Sequence, residues 1–273
     1  MNTSRCSGNE RCAISLAKRP ASAPLVQGWF FALCLSIFLL IPMPALRAQS
    51  TSAATPAQDP SAMLDAFRQV EVASVSDAIE QISGKRMYMS HHMQALFPTH
   101  FAGFAVTVQL NKEENHDPNA LNGMLAAIDN GKKNSVYVMK IQDGGDIAGM
   151  GGLMGTAMAA RGFAGAVIDG GVRDVGYLRK IEFPVYATGI VPSTSVGHYR
   201  FAGSDIPIVC DGVPVNAGDI IVADNDGVVV VPRAEAMRVL TLAQQLDFKE
   251  HSMYPYITKL KSIEQAVKRF GRL

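Results

Sequence analysis

The sequence contains little cysteine, one tryptophan and almost no net charge. Cys6, Cys12 and Cys34 lie near the start, so Cys210 is the one cysteine in the rest of the chain, and an internal disulfide framework is excluded there. Cys210 ends the apolar run 206–210, and we expect a small buried hydrophobic side chain rather than a nucleophile. The 25 basic and 24 acidic residues are balanced, which gives no indication of a nucleic-acid partner.

The first 48 residues have the organisation of an export signal. A basic segment precedes the uncharged apolar run 29–41, and a cleavage-type region ends at Ala48. The run is shorter than the about 20 residues that cross a membrane. We therefore predict a signal peptide over 1–48 and an exported protein, periplasmic or secreted, with an uncleaved N-terminal anchor as the alternative. Removal of the signal leaves 20 basic and 23 acidic residues, for which we expect no membrane contact.

The remaining chain is predicted to form one α/β domain. Residues 49–60 are rich in Ser, Thr, Ala and Pro and are predicted to be a flexible leader. Helix-like and strand-like segments alternate in the first half of residues 61–233, and short strands dominate the second half. Residues 234–273 are predicted to be a C-terminal helical extension, broken near Tyr254 and Pro255.

The most informative stretch is 149–174. Four glycines lead into a helix of small apolar residues, which is followed by the apolar strand 164–168, a turn at 169–171 and a charged pair. A helix N-terminus binds anions, here through the amides of Gly151, Gly152, Leu153 and Met154. Arg173 offers planar donors to a carboxylate, and Asp174 offers oxygen to a divalent cation. The pattern indicates a small acidic substrate bound through a metal.

Each of these residues also has a purely structural alternative. Asp174 can cap the helix 175–181, Arg173 can form a structural ion pair, and we expect Asp169 only to stabilise a turn. The glycines also imitate a dinucleotide-binding fingerprint, but Gly155 comes one position late and the preceding strand ends too early. We therefore disfavour NAD as a cofactor.

Five segments in a fixed order resemble the RraA-like family, which unites the regulator of ribonuclease activity A with the 4-hydroxy-4-methyl-2-oxoglutarate / 4-carboxy-4-hydroxy-2-oxoadipate aldolases. The segments are VSDAI (75–79), AGFAVTV (102–108), ARGFAGAVIDGGVRD (160–174), FPVYATG (183–189) and GVPVNAGDIIVADNDGVVVVP (212–232). The resemblance implies a single-domain β/β/α swivelling-type layered sandwich with C-terminal helices. It also implies a homotrimer or homohexamer with the active site between subunits.

The resemblance also implies a reaction. In the aldolases a Mg²⁺ or Mn²⁺ lies on the residue matching Asp174, and the residue matching Arg173 binds the substrate and stabilises the enolate. Amides matching residues 151–154 hold substrate carboxylates, and retro-aldol cleavage of a 2-oxo acid releases pyruvate, often with oxaloacetate decarboxylation as a side activity.

The chain departs from the aldolase pattern at two positions. Aldolases carry an acid where this chain has Gly152, and many carry one where it has Tyr177. These departures favour a non-catalytic oligomeric binding or regulatory protein, whereas the intact Arg173–Asp174 pair favours the lyase. A ribonuclease-regulator role needs a cytoplasmic partner, and the predicted export signal is evidence against it.

Overall fold

The computed structural model of the protein describes residues 59–271. The predicted signal peptide and nearly all of the predicted leader lie outside the described residues. The helices, besides a short 3₁₀ turn at Arg233–Glu235, are α1 (Pro60–Phe67), α2 (Val72–Ser83), α3 (Asn122–Asn130), α4 (Gly152–Ala160), α5 (Val175–Lys180), α6 (Ala236–Leu260) and α7 (Ile263–Phe270). The strands are β1 (Gln94–Ala95), β2 (Phe101–Lys112), β3 (Ser135–Ile141), β4 (Ala148–Met150), β5 (Gly165–Val172), β6 (Val185–Ile190), β7 (Tyr199–Ser204), β8 (Ile208–Cys210), β9 (Val213–Val215), β10 (Ile220–Asp224) and β11 (Gly227–Val231).

A mixed sheet forms the centre of the fold. Its order is β1-β6-β5-β3-β2-β10-β11, with β4 added beside β5 and β7 beside β2. The pairs β2–β3, β3–β5, β5–β6 and β4–β5 are parallel, whereas β1, β7, β10 and β11 pair antiparallel with their neighbours. The hairpin β8–β9 stands apart from this sheet. The predicted α/β class and layered arrangement are confirmed.

Helices cover the sheet on both faces. On β3, Val136 and Val138 belong to a hydrophobic cluster with α1, α2 and α6, whereas Tyr137 and Met139 belong to one with α3, α4 and α5. Successive side chains of a strand point to opposite faces, so two cores share one sheet. This explains why the central parallel strands carry apolar residues on both faces along most of their length. Cys210 is fully buried in the first core, as predicted.

The long helix α6 begins as part of the domain core. Val239, Leu240 and Ala243 are buried in the same cluster as α2. The predicted break near Pro255 is wrong, because α6 continues through this proline to Leu260. A proline removes a single amide donor, and the turns on both sides are held by buried Met253 and by Tyr256, whose ring packs edge-on against Phe270 of α7. Within residues 59–271, no helix combines the length and hydrophobicity needed to cross a membrane.

A second correction concerns the glycines after the central strand. Residues 169–171 were predicted as a turn, but they lie inside β5, and an irregularity in the pairing with β6 between Ile168 and Gly171 accommodates them. Asp169 therefore does not stabilise a turn in its own segment. Its carboxylate accepts hydrogen bonds from Lys140 Nζ and from the amide of Asp211, both at 2.7 Å, and so fixes the β8–β9 hairpin to the sheet.

Candidate functional site

The central charged pair lies where two parallel strands end. Ala148 of β4 is opposite Gly171 of β5, and the amide of Arg173 donates to the carbonyl of Met150 at 3.0 Å. β4 leads directly into α4 and β5 leads into α5. Gly151 and Arg173 are thereby brought side by side at the carboxyl edge of the parallel strands, where α/β proteins commonly bind ligands.

Asp174 caps a helix, but a different one from the helix that its sequence position suggests. Its backbone is left-handed (φ 57°) just before α5, and its side chain makes no capping hydrogen bond to that helix. Instead, Asp174 Oδ2 accepts the amide hydrogen of Gly152 at 2.9 Å, at the first residue of α4. A carboxylate at a helix N-terminus is stabilised by the unpaired amides and by the helix dipole. The two helices are thus joined through one side chain.

Arg173 lies beside this carboxylate but does not form a close ion pair with it. Its Nε is 4.0 Å from Asp174 Oδ2, and its Nη1 donates to the carbonyl of Ser193 at 3.1 Å. The side chains of Arg173 and Asp174 are 46% and 50% exposed. An exposed pair at this distance contributes little stability, so the structural ion pair considered as the alternative role of Arg173 is only a loose one. The guanidinium keeps donors that a carboxylate ligand can use.

The two glycines before α4 allow the close approach of the pair. A Cβ atom at Gly151 would lie 2.7 Å from Asp174 Oδ2, and one at Gly152 would lie 3.1 Å from Cδ1 of Tyr177. The Tyr177 ring therefore covers the space into which a side chain at position 152 would grow, and its hydroxyl lies 3.5 Å from Thr156 Oγ1. The two departures from the aldolase pattern are direct neighbours in space.

A cavity of about 320 Å³ opens beside the pair. Gly151, Leu153, Met154, Arg173 and Asp174 line it, so the structure brings together the predicted site residues, while Gly152 directs its amide to Asp174. Residues of α3 and of the loop 194–197 also line the cavity, and the sequence did not connect them with the site. The helical spacing of the apolar residues on α3 predicts burial, but it carries no signal for which cavity they line.

Asp117 also lines the cavity, but it is already paired. Its carboxylate accepts from Arg200 at 2.8 Å, and Arg200 also donates to Glu113 at 2.7 Å. The hydrogen bond from Arg200 and that from the amide of Asn119 lower the pKa of Asp117. Asp117 therefore stays ionised and is a poor base.

The oxygens at the site fit a divalent cation held mainly by one carboxylate. Asp174 Oδ1 has no hydrogen-bond partner among the described residues and is a hard oxygen ligand, and Mg²⁺ is commonly held by one or two carboxylates plus water. Across residues 59–271, the one group of three potential ligands is Glu71, Asp247 and His251, which belongs to the α2 and α6 side of the sheet and not to this cavity. The described side chains do not form a closed metal cage at Asp174.

Known proteins with similar sequences cover only parts of the chain. Protein DlpA of Legionella pneumophila is 29% identical over 196 residues, which is 71% of this chain and 31% of that protein. A protein of Halalkalibacterium halodurans named "Putative 4-hydroxy-4-methyl-2-oxoglutarate aldolase" is 38% identical over 86 residues, 31% of this chain and 40% of its own length. The matches thus span less than half the length of either relative.

Solved structures match over a larger part of the chain. An uncharacterised protein of Pseudomonas syringae superposes with a TM-score of 0.70 at 27% identity, covering 77% of this chain and 95% of its own. RraAS2 of Streptomyces coelicolor, described as an unusual member of the RNase ES inhibitor RraA protein family, gives a TM-score of 0.64 at 25% identity, covering 72% and 98%. The sequence model of the RraA-like family, described as Aldolase/RraA, matches residues 72–230. This match takes in the sheet, the paired strand ends and the Arg173–Asp174 pair, and the chain therefore belongs to the RraA-like family.

Proposed function

We propose that the protein is a divalent-metal-dependent lyase that cleaves a 4-hydroxy-2-oxo acid by a retro-aldol reaction and releases pyruvate. The observation that carries the proposal is the meeting of Arg173, Asp174 and the N-terminus of α4 at one side of the 320 Å³ cavity. The aldolase name of the relative from Halalkalibacterium halodurans supports the same reaction class.

The chain provides two kinds of donor for an anionic substrate. Arg173 extends half-exposed beside the cavity and receives the carboxylate of the 2-oxo acid. The amides of Leu153 and Met154 in the first turn of α4 are paired with no described acceptor, whereas the amide of Gly152 is used by Asp174. The amides of Leu153 and Met154 thus stay available for substrate oxygen, and the positive end of α4 favours their use.

In the reaction the bond between C3 and C4 breaks, and its electron pair moves toward the 2-oxo group to form an enolate. The 4-hydroxyl loses its proton and becomes a carbonyl, and a proton added at C3 completes pyruvate. Asp174 would hold the Mg²⁺ or Mn²⁺, which when bound supplies polarisation of the 2-oxo group. Arg173 offsets the negative charge that develops there, and the exposure of the pair lets water carry both protons. Loss of CO₂ from oxaloacetate leads to the same enolate.

The second candidate is a binding or regulatory protein without catalysis. It is favoured by one observation: the Tyr177 ring lies over Gly152, at the two positions where the aldolase pattern has acidic residues. Among the described residues that line the cavity, the carboxylates are therefore those of Asp117 and Asp174. Asp117 is held by Arg200, so the cavity offers a single available carboxylate. The Streptomyces coelicolor relative, described as a member of an inhibitor family, is consistent with this candidate.

We further propose that the protein assembles as a homotrimer or homohexamer. Three apolar side chains around the pair, Leu153, Ile190 and Val196, are 91%, 61% and 67% exposed, and a subunit interface would remove them from water. Light scattering of the purified protein tests the assembly, and a monomer at micromolar concentration would contradict it.

We also propose that the protein is exported, and this proposal rests on residues 1–48 alone. Fractionation of cells tests it.

The decisive experiment measures pyruvate release by the purified protein. The substrates are 4-hydroxy-4-methyl-2-oxoglutarate and oxaloacetate, each with Mg²⁺, with Mn²⁺ and with EDTA. Release that stops with EDTA and in Asp174→Asn supports the lyase. The matched control is Asp205→Asn, because Asp205 is also left-handed (φ 55°) and exposed but does not line the cavity, and it should leave release unchanged. No release by the folded wild-type protein would leave the binding protein as the function.

A further inference from the structure

A histidine and two carboxylates meet on the α2 and α6 side of the sheet. We propose that Glu71, Asp247 and His251 form a second cation site, which takes a transition-metal ion of the Zn²⁺ class and ties the start of α2 to α6. This inference is independent of the proposed lyase, because none of the three residues lines the cavity beside Asp174.

His251 presents one ring nitrogen to a cation. Its Nδ1 lies 2.9 Å from the backbone carbonyl of Asp247, and because a carbonyl only accepts, Nδ1 carries the proton of the neutral ring. The lone pair is then on Nε2, which lies 3.4 Å from Glu71 Oε1. Metal-binding histidines commonly donate their other ring nitrogen in this way, which fixes the tautomer and the orientation of the ring.

Two carboxylates are held next to the ring. Asp247 lies four residues before His251 on α6, so their side chains share a face, and Asp247 Oδ2 is 3.3 Å from Nδ1. The side chain of Glu71 makes no capping hydrogen bond to α2, while its backbone amide donates to Asp247 Oδ1 at 3.1 Å. This backbone contact keeps two carboxylates of the same charge side by side.

The spacing of the three side chains suits tetrahedral coordination. One ligand atom from each lies within 4.8 Å of the other two. Zn²⁺ binds nitrogen and oxygen at about 2.0–2.2 Å, which places two ligands of a tetrahedron about 3.4 Å apart. The Nε2–Glu71 Oε1 pair already has this distance. The other distances need to shorten by about 1.4 Å at most, and half-exposed side chains such as Glu71 and His251 can move that far.

The set of ligand atoms decides the kind of cation. Mg²⁺ and Ca²⁺ take oxygen ligands, whereas imidazole is a ligand for Zn²⁺ and its neighbours in the first transition row. Two carboxylates balance the charge of a divalent ion. Glu250 adds a third negative charge close enough to raise the pKa of His251, so the field around the ring attracts a cation.

A cation here would act on the C-terminal part of α6. Leu246 is the last residue of α6 in the hydrophobic cluster shared with α2, and Asp247 and His251 lie just beyond it. From there α6 continues to Leu260 and is followed by α7. A closed site therefore fastens this extension to the domain through Glu71.

Zinc titration of Asp174→Asn tests the site, because this variant lacks the carboxylate proposed to hold the other cation. It is done at about pH 8, where protons compete less for a histidine. Isothermal titration should show one zinc ion bound per chain. Adding His251→Gln or Glu71→Gln should weaken that binding at least about tenfold. With zinc about a hundredfold above its Kd, Tm should rise by about 5–10 °C, and both added changes should abolish the rise.

His198→Gln in the same background is the matched control. The side chain of His198 is 50% exposed, against 48% for His251, and it also pairs with a carboxylate, that of Glu114 at 2.9 Å. Among the described residues this pair has no third ligand within reach of one ion. His198→Gln should therefore keep both the zinc affinity and the rise in Tm.

Hydrogen exchange gives a readout that binding at an unrelated surface position would not change. Zinc should slow exchange of the amides of residues 254–270, and His251→Gln should abolish this protection. Zinc affinity that is equal with and without His251→Gln, or a Tm that zinc does not raise, would overturn the site. Binding that depends on His251 but leaves the exchange of 254–270 unchanged would overturn its action on α6.

Discussion

Replacing Asp174 by alanine and by asparagine should separate its structural role from its chemical one. In the wild-type protein Asp174 has a left-handed backbone and caps α4 through the amide of Gly152. Alanine removes the acceptor, which costs about 1 kcal/mol for a typical helix cap. Alanine also tolerates the left-handed conformation less well, by about another 1 kcal/mol.

Asparagine keeps both features, because its side-chain oxygen can accept from Gly152 and its backbone tolerates φ 57°. It loses only the interaction of a negative charge with the end of α4, about 0.5 kcal/mol. For a domain of this size, 1 kcal/mol corresponds to about 2–4 °C in Tm. We therefore expect Asp174→Ala to lower Tm by about 4–8 °C and Asp174→Asn by about 1–2 °C.

Thermal unfolding followed by circular dichroism measures these shifts, and metal-dependent pyruvate release is measured on the same samples. Both variants should lose the release, although only alanine loses much stability. Equal losses of stability in the two variants would refute the capping argument, because they would mean that the accepted hydrogen bond and the backbone conformation are unimportant. Full activity in Asp174→Asn would refute the assignment of the site.

Two further predictions concern packing and pH. Gly155→Ala should destabilise the protein by about 1–3 kcal/mol, because the new Cβ would lie 2.3 Å from Cδ2 of Leu178. Gly176→Ala on α5 places its Cβ in open space and should stabilise the protein by up to about 1 kcal/mol. Chemical denaturation measures the free energy of unfolding of both variants. The hydrogen bond from His251 to the carbonyl of Asp247, with carboxylates nearby, raises the pKa of His251. The stability that protonated His251 contributes is then fully present below about pH 6.5 and is lost as the pH rises through the raised pKa. Tm should therefore fall over this pH range in the wild-type protein, and His251→Gln should make the fall smaller. The same dependence of Tm on pH in both proteins would contradict the prediction.

The sequence determined the local features of the fold because they depend on neighbours along the chain. The periodicity of apolar residues located β3 and α4, and the Asp224–Gly227 turn located the hairpin of β10 and β11. The order of the family segments indicated the layered α/β fold and drew attention to Arg173 and Asp174. Local reasoning was wrong at Pro255 and at residues 169–171, where packing and strand pairing, rather than residue preference, decided the structure.

Only the tertiary structure decided what surrounds the charged pair. It showed that Asp174 caps α4 rather than α5, that Tyr177 fills the space above Gly152, and that α3 and the loop 194–197 line the same cavity as the pair. These contacts join residues at least 22 positions apart, and nothing in local spacing specifies which segments meet. The sequence therefore determines which chemical groups are present. The pairing of β4 with β5 and the packing of α3 against α4 determine which of these groups share one cavity, because long-range contacts set the distances between groups that are far apart in the chain.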